Sequence, residues 1–165
     1  MNEKKIIILT VAASLAILFG GIFFLTKTTV SPEVTASQEA KVFVESKDYD
    51  WGTFPYKSGN KTKTFKIKNV GTGVLKLLNV KTSCHCTKAY VTILGNESPT
   101  FGMSGFSSWV GEVPPGKEAE LTVIFDPLYH GLAGVGPLSR FVSLDTNDGK
   151  NLKMTFTLTG TVTKE

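Results

Sequence analysis

Five neighbouring positions, Ser83-Cys84-His85-Cys86-Thr87, carry the residue types in this chain best suited to chemistry. Cys84 and Cys86 are its two cysteines. Such a pair suits three roles. The thiols can be structural, free or joined in a disulfide. As thiolates they can hold a soft or borderline ion such as Cu(I) or Zn(II). As a dithiol they can take part in redox exchange. The backbone decides what is feasible. In a straight strand the two side chains share a face, the Cα atoms lie ~6.6 Å apart, near the limit for a bridge, and His85 points the other way. A turn at His85 would bring the sulfurs together and allow either a disulfide in a small ring or a site using Cys84, His85 and Cys86. Further donors would have to come from elsewhere, and Met103 and His130 are the ones available. His130 lies in a Gly-rich loop, where the simpler role is to shape that loop. The metal candidates are thus Cys84, His85, Cys86 and His130.

Other chemistry leaves no signature. Gly-x-Ser-x-Gly, His-Glu-x-x-His, a phosphate-binding loop and Cys-x-x-Cys are all missing from the sequence. The expectation is a non-catalytic binding or structural module, not an enzyme and without a cofactor. The alternative is an exported metal-binding (copper or zinc) or thiol-redox protein working through Cys84-His85-Cys86.

The elements that position these residues read as short strands. In 61–68, Phe65 and Ile67 fall on one face while Thr64, Lys66 and Lys68 fall on the other, the period of a half-buried strand. Asn69-Val70-Gly71-Thr72-Gly73 has turn chemistry, and the apolar run 74–80 leads to Cys84. Upstream, 41–45 reads as a strand and 48–54 as a strand bent at Gly52. Downstream, 95–111 is a long irregular connection whose aromatics pack against the edge of the fold. Residues 118–125 form a strong strand with Ala119, Leu121, Val123 and Phe125 on one face. A loop with His130 follows, then a strand over 139–146, a turn at Asn147-Asp148-Gly149 and a last strand over 151–162. The expected core contains Phe65, Ile67, Leu75, Leu77, Leu121, Val123, Phe125, Val142, Leu144, Phe156 and Leu158. About seven short strands with frequent turns imply an all-β antiparallel sandwich.

Residues 6–26 are uncharged and nearly all apolar, long enough as a helix to cross the ~30 Å hydrocarbon core. The length favours an uncleaved signal anchor over 1–27; the alternative is a secreted or periplasmic protein cleaved near Ala36. Lys4 and Lys5 precede the segment, placing the N-terminus in the cytoplasm and the rest outside. Residues 28–40 read as a polar linker. The net charge of +4 is carried almost entirely by lysine, and a Lys-rich surface without an aromatic-interleaved basic motif does not imply nucleic acid as a partner. The expected partners are the cytoplasmic membrane, through residues 6–26, and a protein of the cell envelope.

The order of motifs resembles a known family. Asp50-Trp51-Gly52-Thr53, Phe65 to Gly71, Ser83 to Thr87, Pro114-Pro115-Gly116-Lys117, Val123 to Pro127, Asp145 to Asp148 and Leu158 to Val162 are similar, in order and spacing, to the bacterial DUF1573 family. That family is itself similar to the immunoglobulin-like domains of the ASPM, SPD-2 and Hydin group. The resemblance covers about residues 41–163 and implies an immunoglobulin-like β-sandwich outside the cytoplasm, with no established activity. The family usually has Ser-Cys-Gly-Cys-Thr at the cysteines, which implies a backbone turn; here His85 replaces the glycine and adds a nitrogen donor. The connection over 96–112 is longer than the family's.

Overall fold

In the computed structural model of the protein the described residues are 2–25, 35–105 and 107–165. Thr26, Lys27, residues 28–34 of the expected linker and Phe106 lie outside them. The chain divides into two units, Met1–Ser31 and Pro32–Glu165.

In the first unit, α1 (Glu3–Leu25) is a single helix. Over Glu3–Gly21 it is long and apolar enough to cross a membrane, a test that a signal sequence also passes.

In the second unit the apolar alternation folds into two five-stranded sheets. The strands are β1 (Val42–Phe43), β2 (Asp48–Pro55), β3 (Lys61–Asn69), β4 (Leu75–Thr82), β5 (Thr87–Ile93), β6 (Asn96–Glu97), β7 (Val110–Val113), β8 (Glu118–Phe125), β9 (Gly136–Thr146) and β10 (Lys153–Thr163). One sheet runs β1-β3-β8-β5-β6 and the other β2-β10-β9-β4-β7. This is an immunoglobulin-like sandwich, and each of the eleven expected core residues is buried in it. Phe65 of one sheet meets Phe156 of the other at a ring separation of 4.9 Å.

Two features depart from simple alternation. β2 pairs with β10 in parallel, whereas the other described strand pairs are antiparallel. These strands are far apart in the chain, so no tight hairpin forces them to run oppositely. Where they pair, Thr159 faces Asp50 but Thr161 faces Thr53, so β2 carries one extra residue. Gly52 absorbs it at φ +69°, where the bend was expected. β4 carries a second extra residue: Leu78 faces Asp145 but Lys81 faces Ser143. Asn79 sits there at φ +53°, a conformation asparagine tolerates better than most residues. The bulge shifts the phase of the strand, so Leu77 and Leu78 are both buried, followed by Val80 and Thr82.

The connection expected to be irregular over 95–111 contains β6 and the start of β7, and of its aromatics Phe101 and Trp109 pack against the fold. Phe101 is buried, its backbone bridges to Ala89 and its ring lies 5.4 Å from that of Trp109.

Candidate functional site

β4 belongs to one sheet and β5 to the other, so residues 83–86 turn a corner between the two. The corner is heavily tied. The buried Thr82 hydroxyl shares its proton between the carbonyls of Cys84 (3.1 Å) and Thr87 (3.0 Å). The Ser83 amide donates to Phe141 O, and the Phe141 amide donates back to Ser83 Oγ, both at 2.9 Å. The Asp126 amide donates to Cys86 O and the Thr87 amide to Cys84 O. This turn brings the Cα atoms of Cys84 and Cys86 to 5.2 Å, and the two sulfurs are joined in a disulfide. Of the arrangements open to the sequence, the structure adopts the bonded pair.

The two sulfurs have different surroundings. Cys86 is only 2% exposed. It packs in a small apolar cluster with Phe54, Phe125, Leu138 and Val162, and Cys84 lies partly exposed against its outside. His130 Nε2 lies 3.6 Å from Cys84 Sγ. His130 comes from the loop after β8, just before a short 3-10 turn at Gly131–Gly134. That turn passes so close that a Cβ on Gly134 would lie 2.9 Å from His130 Cβ. On the other side, Arg140 Nε donates to Cys86 Sγ at 3.2 Å. The guanidinium also donates to Ser139 O and lies over the Phe125 ring at 5.6 Å. Burial lowers the Arg140 pKa from its ordinary value, yet a guanidinium remains a cation in proteins.

The sequence candidates are therefore partly brought together. Cys84, Cys86 and His130 offer donor atoms all within 4.8 Å of one another, a group that could hold a metal ion. His85 is exposed at the tip of the turn and stands outside that group. Turning the backbone at position 85 joins the sulfurs and leaves the intervening side chain outward. While the disulfide is intact the sulfurs are not thiolates, so metal binding here requires reduction first.

Arg140 was missed in the sequence. It had a signal: it is the chain's single arginine among 18 lysine and arginine residues. A planar guanidinium and an ammonium are not interchangeable where direction matters.

With the corner and its strands in place, comparison with known proteins adds a family match over part of the chain. Residues 42–97 match the model of a family described as protein of unknown function (DUF1573). It is the family that the motif order resembles. The DUF1573 match contains both cysteines and ends short of His130 and Arg140. No curated protein matches the chain. A crystal structure of a protein of unknown function from Porphyromonas gingivalis is similar, with a TM-score of 0.58 at 21% identity over 79% of this chain. The chain spans 50% of that protein's length. An ASH/PapD-like domain of human CEP192 is similar at a TM-score of 0.48 and 17% identity, over 84% of this chain and 96% of that one. At these identities the likeness is one of fold.

Proposed function

We propose that this chain is an immunoglobulin-like binding or structural module, non-catalytic, held at the outer face of the cytoplasmic membrane by α1. The observation that supports binding is the loop between β8 and β9. Leu128, Tyr129 and Leu132 are exposed there, each more than half accessible, beside a sandwich whose interior is filled with aliphatic and aromatic side chains. Clustered exposed apolar residues on a loop mark an interaction surface better than scattered ones do. The partner of this reading is a protein of the cell envelope.

A photo-crosslinking residue placed at Leu132 in the full chain, in intact cells, should give a defined adduct, whereas the same residue at Lys66 on the solvent face of β3 should give none. Equal labelling from both positions would sink the loop as the binding surface. For the anchor, a reporter that works only outside the cytoplasm, fused at Glu165, should be active. An inactive fusion would refute the orientation. A mature N-terminus at Ser37 would refute the anchor and leave a secreted protein.

A second reading is favoured by the grouping of Cys84, Cys86 and His130 within 4.8 Å. After reduction these three residues present two sulfurs and a nitrogen, a set suited to Cu(I) or Zn(II). Titrating either metal into the reduced full chain and into a His130→Ala variant tests it. Equal binding by both would remove His130 from the site, and negligible binding by both would remove the metal.

A further inference from the structure

We propose that Cys84–Cys86 is a thiol–disulfide exchange centre, in which a polypeptide thiolate attacks Cys84 and Cys86 is the leaving sulfur, its charge received by Arg140. The inference goes beyond the binding reading and replaces its non-catalytic part, because it concerns covalent exchange and stands on the geometry of the sulfurs. Only the choice of a polypeptide as carrier of the thiol rests on the exposed loop.

Access selects the attacked sulfur. Thiol–disulfide exchange needs the incoming thiolate to reach one sulfur, with the other able to depart. Cys84 is partly exposed, while Cys86 is 2% exposed and covered by Phe54, Phe125, Leu138 and Val162. An incoming sulfur therefore meets Cys84 first. Departure is favoured by the other side of the site. Arg140 Nε already points at Cys86 Sγ from 3.2 Å. A disulfide sulfur is a weak acceptor, but a thiolate accepts a charge-assisted bond. The contact thus strengthens as the sulfur–sulfur bond breaks, which is the form of interaction that lowers a barrier. Phe125 and the Ser139 carbonyl hold the guanidinium in place.

The step balances as follows. The partner's thiolate forms a bond to Cys84 Sγ while the Cys84–Cys86 bond breaks, and the electron pair leaves on Cys86. The partner is then joined to Cys84 in a mixed disulfide. A second thiolate of the same partner attacks the partner's own sulfur, closes the partner's disulfide and releases Cys84 as a thiolate facing His130 Nε2. The partner loses two electrons and the cysteine pair gains them.

The surface beside Cys84 suits a polypeptide. The Phe141 amide is bonded to Ser83 Oγ, next to Cys84, and the Phe141 side chain is exposed. The exposed Tyr129 ring lies 5.0 Å from that of His130. Leu128 and Leu132 flank the same histidine in the chain.

The test uses the oxidised full chain in detergent, quenched with acid after brief exposure to glutathione or to a one-cysteine peptide flanked by leucine and phenylalanine. Fragmentation mass spectrometry should place the adduct on Cys84. Arg140→Lys and Arg140→Gln, checked for unchanged circular dichroism, should slow exchange with both probes, by about tenfold for Gln. Leu128→Ser/Leu132→Ser should slow the peptide more than it slows glutathione. An adduct on Cys86, or rates unaffected by Arg140→Gln, would overturn the exchange centre. So would metal uptake by the reduced chain when the oxidised chain forms no mixed disulfide at all. Identical behaviour of the two probes, with the loop variant silent, would overturn the polypeptide partner alone. A failed crosslink at Leu132 with exchange intact would count against the binding surface and not against the sulfur chemistry.

Discussion

At the residue scale, the side chains that carry most are polar ones buried without charge. Asn69 is 0% exposed. Its Nδ2 donates to Gly73 O and Val113 O, and its Oδ1 accepts from the Gly71 amide. One asparagine therefore closes the turn after β3 and ties it to the end of β7. Asn69→Ala strands an amide and two carbonyls, and each buried orphan costs ~1–3 kcal/mol. We expect a loss of about 2–4 kcal/mol in urea denaturation. Asn69→Asp keeps the acceptor and loses both donors, so it should not rescue stability; a variant as stable as wild type would refute this account. The disulfide is a weaker staple. It joins residues two apart, and closing so short a loop constrains the unfolded chain by only ~1.5 kcal/mol. Replacing both cysteines by Ala, which adds no buried polar group, should lower stability by no more than about 2 kcal/mol. A much larger loss would show that the pair contributes to the fold beyond closing this short loop.

At the scale of elements, the turn between β9 and β10 is pinned by Asp148. Burial alone would raise its pKa. Hydrogen bonds from the Val42 amide, the Asn151 side chain, and the Lys150 and Asn151 amides outweigh that, and the carboxyl lies below its ordinary value of 3.8. The folded state thus holds the ionised form better than the unfolded state does. That stability is fully present above the ordinary value and is lost as pH falls through the lower, folded one. Wild type should exceed Asp148→Asn in stability by a constant margin from neutral pH down to about pH 4, and the margin should shrink below it. A margin unchanged to about pH 2 would show that the carboxylate's charge is not what matters. The partner Asn147 works beside it, donating to Val74 O and accepting from the Lys76 amide. This turn therefore anchors β1 through Val42 and β4 through Lys76.

At the scale of the whole molecule, stability comes from closing two sheets over one apolar interior. Phe156 and Phe65 bridge the sheets near its middle. Phe156→Ala should cost ~3–5 kcal/mol, because the cavity cannot collapse between two hydrogen-bonded layers. The midpoint of urea unfolding followed by tryptophan fluorescence checks this, and a loss under about 1 kcal/mol would show that the interior repacks freely.

Local pattern was enough for much of this. Phe65 and Ile67 lie inside and Lys66 and Lys68 outside because a strand alternates its side chains regardless of its partners. The bend at Gly52, the turns at 69–73 and 147–149, and the apolar helix followed from residue type alone. The parallel pairing of β2 with β10 did not, since it joins segments about a hundred residues apart. Leu78 is buried because of a bulge that only its pairing with β9 reveals. The candidate site divides in the same way. Cys84 and Cys86 were legible as a pair from their spacing, but their bond depended on a corner held by Thr82, Phe141 and Asp126. The approach of His130 to Cys84, and the arrival of Arg140 at Cys86, depended on strands and loops more than forty residues downstream. Sequence periodicity records which face a side chain takes; which distant side chains meet is decided when the sheets close.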